Sequence, residues 1–361
     1  MTMPRTASTP FDRLVGWRES STSGAAIADG LEAARSSPAA ASARSMLAAA
    51  ERVVVTGAGS SYFLAQSASA AAREATRRPF VAAPLSELIL RPGGVLLDGR
   101  AAAQPVIVIS RSGSTSEAVT VIERMRALGH PTIAVTCRAA SPITSIADAT
   151  LVSVSGDEQA IVMTRSFASM LALLIRLIAD VAADEGLAAD LDLLPERWTD
   201  SVVAARIGRR LGGTNWSRIV ILGGGVATGI AAEWGLKLTE TSQVPTLVCE
   251  PLEFRHGPIS VCEPGMLVVG LLGGPGASDE LRVVAESADL GASTWVLTQE
   301  PPEPAVPDGL VSLVGGGLRA AARLPLLLHP AHALAFSLAA TRGENPDVPR
   351  HLGQVVIIDP P

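Results

Sequence analysis

Two stretches of this chain repeat one another at a constant offset of 166 residues: RVVVTGAG beginning at Arg52 is answered by RIVILGGG beginning at Arg218. Arg52 matches Arg218, Gly57 matches Gly223 and Gly59 matches Gly225. Each stretch is a β-branched apolar run entering a glycine turn, the pattern of a strand covered on both faces. A chain of 361 residues is long for one domain, and a recurring unit of this kind predicts two α/β domains of similar build.

The pattern between the repeats agrees. Arg52–Thr56, Pro105–Ser110, Pro131–Thr136 and Ala149–Val154 read as strands with helical patterns between them, the signature of a parallel sheet. In the second copy, Pro264–Leu272 and Ser293–Thr298 read as strands, and Ser278–Ala288 and Leu326–Thr341 as helices. The expected organisation is a helical, Ala-rich arm over 1–50, a first domain over 51–200, a second over 215–345 and a Pro-bearing tail over 346–361. The segment Leu193–Thr214, ending in Gly-Gly-Thr, is expected to be the linker.

Hydrophobic residues make up 48 % of the chain and the formal net charge is −6, which excludes a disordered chain and a dedicated nucleic-acid binder. Cys137, Cys249 and Cys262 are too few for a disulfide framework and lack metal-ligand spacing, so a reducing cytoplasmic location is expected. The N-terminus has no apolar signal core, and the apolar run Phe167–Val181 is broken by Arg176 and Asp180, so neither export nor membrane insertion is expected. Basic charge is carried by arginine with one exception, Lys237.

The strand Pro105–Ser110 runs into SRSGSTSE and then a helix. Ser110, Ser112, Ser114 and Thr115 offer hydroxyls, Gly113 lets the backbone turn, and the helix start offers unpaired N–H groups. That composition could hold a phosphate monoester without lysine or metal. GAGSSYF brings Ser60 and Ser61 to the carboxyl end of the first strand, the edge where open α/β sheets bind ligands. Either loop alone is more simply an N-cap; the two together favour a ligand. A dinucleotide fingerprint fits poorly, because Tyr62 and Thr228 stand where a third glycine belongs.

The second copy keeps the glycines, in GGGVATG and GGPGASDE, but not the serines, so phosphate binding is expected in the first domain only. AEWGLKLTE places Glu233, Lys237 and Glu240 near one helical face. Spacing alone makes this a solvated salt-bridge row; the uniqueness of the lysine favours a place for a neutralisable amine. His256 lies in EPLEFRHGPIS beside Arg255 and Gly257-Pro258, a turn composition suited to proton transfer. His130, His329, His332 and His351 read as structural.

Taken together, GAGSSY, SRSGSTSE, GDEQAIVMTRSF, LKLTE, EFRHGP and the tail PRHL resemble the SIS (sugar isomerase) domain family, specifically the double-domain isomerase half of glucosamine-6-phosphate synthase and its stand-alone isomerase and deaminase relatives. The resemblance spans roughly residues 50–358. It implies two SIS domains, each a parallel five-stranded sheet sandwiched by helices in a flavodoxin-like αβα arrangement. It also implies that Ser110, Ser112, Thr115 and the backbone of Arg111 grip a phosphate and that Ser61, beside Ser60, contacts the sugar. Glu240 would move the proton between C1 and C2 with Lys237 in support, and His256 would open the ring from the neighbouring subunit of a homodimer. Glu158 and Ile161 would fall in the loop lining the sugar site, and Arg350 near the sugar.

The sequence departs from that family at Gln354, where a lysine is common; an amide forms no Schiff base, so ring opening falls to His256. No Cys-Gly start is present, so ammonia delivered from glutamine is not expected, and Met163 replaces a hydroxyl-bearing residue of the sugar loop. The expected activity is an aldose–ketose isomerase acting on a sugar phosphate, with deamination of an amino-sugar phosphate as a coupled outcome and no metal or organic cofactor. The alternative is a sugar-phosphate-binding regulator without turnover; against it, residues 1–50 carry no basic recognition helix.

Overall fold

The computed structural model describes residues 11–97, 104–303, 305–306 and 309–355. These fall into two compact units. One comprises the described residues of 23–158, 165–195 and 353–355; the other comprises 11–22, 159–164 and the described residues of 196–352.

The first unit holds a parallel sheet of β1 (Val53–Gly57), β2 (Phe80–Pro84), β3 (Val106–Ile109), β4 (Thr132–Thr136) and β5 (Ala149–Val152), in the order β2-β1-β3-β4-β5. Every residue of β1, β3 and β4 is buried, which is why these strands are unbroken apolar runs in the sequence. Edge strand β2, with Val81 and Ala82 half-buried, lacks such a run and is not apparent from it.

Helix α1 (Val15–Ser20) belongs to the second unit, whereas α2 (Ser23–Ser36) and α3 (Pro38–Ala48) belong to the first. The sheet helices of the first unit are α4 (Ser60–Thr76), α5 (Leu85–Leu90), α6 (Ser116–Ala127), α7 (Pro142–Ile146), α8 (Arg165–Ala182) and α9 (Glu185–Asp192). Helix α8 is buried nearly all round and packs on α2 and α4; its Arg176 and Asp180 satisfy each other at 3.0 Å. At the α2 crossing a Cβ on Gly30 would lie 2.3 Å from the Ser169 carbonyl oxygen, so only glycine permits that approach.

The second unit repeats the design with β6 (Ile219–Leu222), β7 (Thr246–Cys249), β8 (Leu267–Leu271), β9 (Ser293–Thr298) and β10 (Leu310–Leu313), in the order β10-β9-β8-β6-β7. Counted from each copy's own first strand, both sheets run 2-1-3-4-5, a doubly wound order. Edge strand β10, half-exposed, is the other strand that the apolar pattern does not reveal.

The segment Leu193–Thr214, expected to be the linker, is largely helix α10 (Leu194–Leu211), and the division between the units falls within it, after Pro195. Ser201, Ala204 and Ala205 are buried, and Ser201 Oγ donates to the Leu326 carbonyl at 2.7 Å. This packing face is built from small residues, which hydrophobic periodicity does not detect. The remaining helices are α11 (Thr228–Ser242), α12 (Pro251–Phe254), α13 (Ala277–Asp289), α14 (Ala320–Arg323) and α15 (Leu328–Arg342). Among the described residues one stretch, Ala320–Arg342, is long and apolar enough to cross a membrane, and its apolar window is 83 % buried within the protein, as a core helix is.

Candidate functional site

Strands β1 and β3 are parallel neighbours, with Val55 opposite Ile107, so the turns leaving their carboxyl ends lie side by side. One turn passes through Gly59 at φ +55° into α4, whose first residues are Ser60 and Ser61. The other runs from Ser110 to Thr115 and into α6. Ser110 Oγ accepts from the Gly113 N–H at 3.2 Å and lies 3.3 Å from Thr115 Oγ1; Ser112 Oγ accepts from the Ser114 N–H at 3.2 Å. Gly113 holds φ +63°, and a Cβ there would strike Ser141 Oγ at 2.1 Å. Thr115 occupies the N-cap position without a side-chain cap bond. The result is a sheltered hydroxyl turn above a helix start, chemistry that suits an anion.

The Arg111 side chain reaches a buried partner. Its Nη1 lies 3.6 Å from Glu158 Oε1, and its Nη2 donates to the Gln354 carbonyl at 2.7 Å. Glu158 also accepts from Ser166 Oγ, and its backbone carbonyl accepts from Gln354 Nε2 at 3.1 Å. Gln354 is thereby tied to the same cluster as the arginine of the serine loop. Burial, reinforced by Glu158 and Asp157, pushes the neighbouring Cys137 thiol well above its ordinary range, so it stays protonated.

In the second unit, α11 carries Glu233, Lys237 and Glu240. Lys237 Nζ lies 2.6 Å from Glu240 Oε2 and 3.3 Å from Glu233 Oε1. Glu233 and Lys237 are fully buried, so the row is not a solvated face. Burial alone would lower the lysine's pKa, but Glu233 and then Glu240 outweigh it and raise it. Lys237 is therefore a fixed ammonium, not the neutralisable amine expected from its uniqueness.

His256 follows α12 in an exposed turn, its N–H donating to the Glu253 carbonyl at 3.0 Å and Gly257 holding φ +130°. The positive neighbour expected to assist it is engaged elsewhere: Arg255 grips Glu286 through two bonds of 2.7 Å. Arg350 pairs with Glu344 at the surface, and Ile161 is half-buried. Tail residues 356–361 lie outside the described residues. Among the described residues no group of three or more His, Cys, Asp or Glu has the arrangement of a metal site.

Sequence reasoning missed two features. Ser166 is a partner of Glu158, and nothing in its apolar helix marks it. Ser20 joins His329 and His332 in a buried cluster; the spacing of those histidines on α15 was the only available signal.

Two doubly wound parallel sheets, one with a hydroxyl-rich turn at the switch point between its first and third strands, define an α/β protein of the kind whose ligand crevice lies outside the carboxyl ends of the strands. The chain belongs to the SIS domain family, whose model matches residues 46–179 and 214–312. The glutamine–fructose-6-phosphate aminotransferase (isomerizing) of Aeropyrum pernix is 27 % identical over 271 residues, covering 70 % of this chain and 43 % of that protein. The chain thus spans under half the length of that curated relative. Among solved structures, the tagatose-6-phosphate ketose/aldose isomerase of Escherichia coli has a TM-score of 0.84 at 22 % identity, covering 99 % of each chain. The glucosamine-6-phosphate deaminase of Thermotoga maritima has a TM-score of 0.75 at 24 % identity, covering 95 % of this chain and 100 % of that one. At these identities the structural likeness establishes the fold.

Proposed function

We propose that this protein is a sugar-phosphate aldose–ketose isomerase, and that release of ammonia accompanies the reaction when the substrate is an amino-sugar phosphate. The observation that carries this reading is the contact of 2.6 Å between a sealed lysine and a carboxylate, Glu240, that keeps some access to solvent. Relatives that include an isomerizing aminotransferase and a ketose/aldose isomerase support it.

In this reading the hydroxyls of Ser110, Ser112 and Thr115, with backbone N–H groups from Arg111 onward, take the phosphate, and Ser60 and Ser61 meet the sugar. His256, supplied by the second subunit of a homodimer, opens the ring. Glu240 removes the C2 or C1 proton and returns it to the other carbon, as a carboxylate within reach of both can. Lys237 stays charged throughout and steadies the negative charge that develops on the enediolate. Glu158, Ile161 and Arg350 border the sugar. Gln354 positions Arg111 and Glu158 rather than forming a covalent adduct.

The test is incubation of the protein with fructose 6-phosphate, tagatose 6-phosphate and glucosamine 6-phosphate, following aldose–ketose conversion and ammonia. Conversion of at least one, abolished in Glu240→Gln with binding retained, supports the proposal. Tight binding of a sugar phosphate with no conversion of any supports the regulator instead.

A further inference from the structure

Beneath the surface of the second unit lies a polar cluster that the proposed reaction does not use. Ser20 Oγ, at the end of α1, lies 2.7 Å from His329 Nδ1 and 2.8 Å from His332 Nδ1, and all three residues are buried. His329 is flanked by Trp17 and Trp198, with ring centroids 4.7 and 5.0 Å away. A serine has one hydroxyl proton, so at most one of the two imidazoles accepts it. At least one ring must carry its own proton on Nδ1, the less common tautomer in water.

The surroundings decide which. His332 Nε2 is buried and has no hydrogen-bond partner among the described residues. An orphaned N–H there would cost more than a bare lone pair. Lys237 weighs the same way, because its fixed positive charge acts on this ring: α11 and α15 pack together, with Trp234 Nε1 donating to the Leu327 carbonyl at 2.9 Å and Thr241 Oγ1 to that of Ala335 at 3.4 Å. His332 lies between those two crossing points on α15, as Lys237 does on α11.

We infer that Ser20 is a positioning residue for the Lys237–Glu240 pair: it holds His332 in the Nδ1–H tautomer, so that a bare nitrogen rather than an N–H stands in the field of the ammonium. His332 donates to Ser20, whose hydroxyl oxygen accepts from the ring. A serine outside the α/β repeat thereby fixes the electrostatic floor under the lysine. This role rests on the reading of Glu240 as the proton carrier; the tautomer itself does not.

The experiment uses the full chain labelled with 15N-histidine. Long-range 15N–1H correlation spectra distinguish protonated from bare ring nitrogens, and His332→Asn identifies the His332 signals. The expected result is a protonated Nδ1 and a bare Nε2; the reverse assignment overturns the inference. Ser20→Ala is expected to move the His332 proton to Nε2 and lower kcat roughly tenfold at unchanged KM, with Ser20→Thr restoring both. A Ser20→Ala protein whose tautomer switches without any change in kcat overturns the positioning role and leaves the isomerase reading intact. A wild-type protein without turnover defeats the proposed function and the positioning role together, while the tautomer is still read from its spectrum. If Ser20→Ala does not fold, the wild-type spectrum and Ser20→Thr decide.

Discussion

Lys237 and Glu240 stand three residues apart on α11 with Nζ and Oε2 separated by 2.6 Å, yet the lysine side chain is 1 % exposed and the glutamate's 18 %. The pair is an ammonium sealed under a carboxylate with access to solvent. Glu233, fully buried on the other side of the ammonium, supplies the second negative charge that keeps it protonated.

Removing the cation should therefore be expensive. Lys237→Met leaves Glu233 charged and buried, and is expected to lower the unfolding free energy by about 3–5 kcal/mol. Glu233→Gln combined with Lys237→Met should recover much of that loss. Urea unfolding of the single and double variants measures both.

The serine loop depends on a backbone that only glycine adopts freely. Gly113→Ala meets both a φ of +63° and a Cβ contact of 2.1 Å with Ser141 Oγ. It is expected to cost about 1–3 kcal/mol and to abolish the rise in Tm that the proposed function predicts for the native protein with hexose phosphates. A thermal-shift titration with phosphorylated and unphosphorylated sugars reads both effects.

Arg111 and Glu158 form the buried joint beneath that loop, with side chains 6 % and 0 % exposed. Arg111→Met removes a counter-charge from the buried Glu158 and is expected to destabilise by about 3 kcal/mol or more. Arg111→Met with Glu158→Gln should be milder. Gln354→Ala, which removes one bond of 3.1 Å to a carbonyl, should cost about 1 kcal/mol. Chemical denaturation of the three variants tests the ranking.

Glu280, near Glu250 at the carboxyl edge of the second sheet, has a carboxyl pushed from 4.5 up to about 7 by burial and then by the Glu250 charge. The folded protein thus holds a proton that the unfolded chain releases at lower pH. The contribution of Glu280 to stability is full below pH 4.5 and is lost as the pH rises to about 7. Glu280→Gln is expected to be more stable than wild type at pH 8 by on the order of 1 kcal/mol, since Glu280 is partly solvated, and to lose that advantage at pH 4. Denaturation midpoints at the two pH values check the sign.

The sequence exposed what burial writes into it. Central strands β1, β3, β6, β8 and β9 stand out as apolar runs because both of their faces are covered, and the repeat of β1 in β6 announced two domains. Strands β2 and β10 were illegible because their partly exposed residues form no continuous apolar run, and the helical state of α10 was illegible because it packs through serine, alanine and glycine. Ser60, Ser61 and the Ser110–Thr115 turn were legible from composition. The state of Lys237 was not, because whether a lysine is neutral or fixed depends on what surrounds it, and Glu233 closes over it only once α11 is folded. The Ser20 cluster was hidden for the same reason: its members are separated by 309 and 312 residues.

The most direct test of the account is solvent exchange. In heavy water, wild-type protein given its phosphorylated sugar should wash deuterium into C1 or C2, and Glu240→Gln should bind the same sugar without any exchange. Exchange that persists undiminished in Glu240→Gln would contradict the assignment of the proton carrier, and wild-type protein that binds the sugar without exchanging a proton would contradict the isomerase itself.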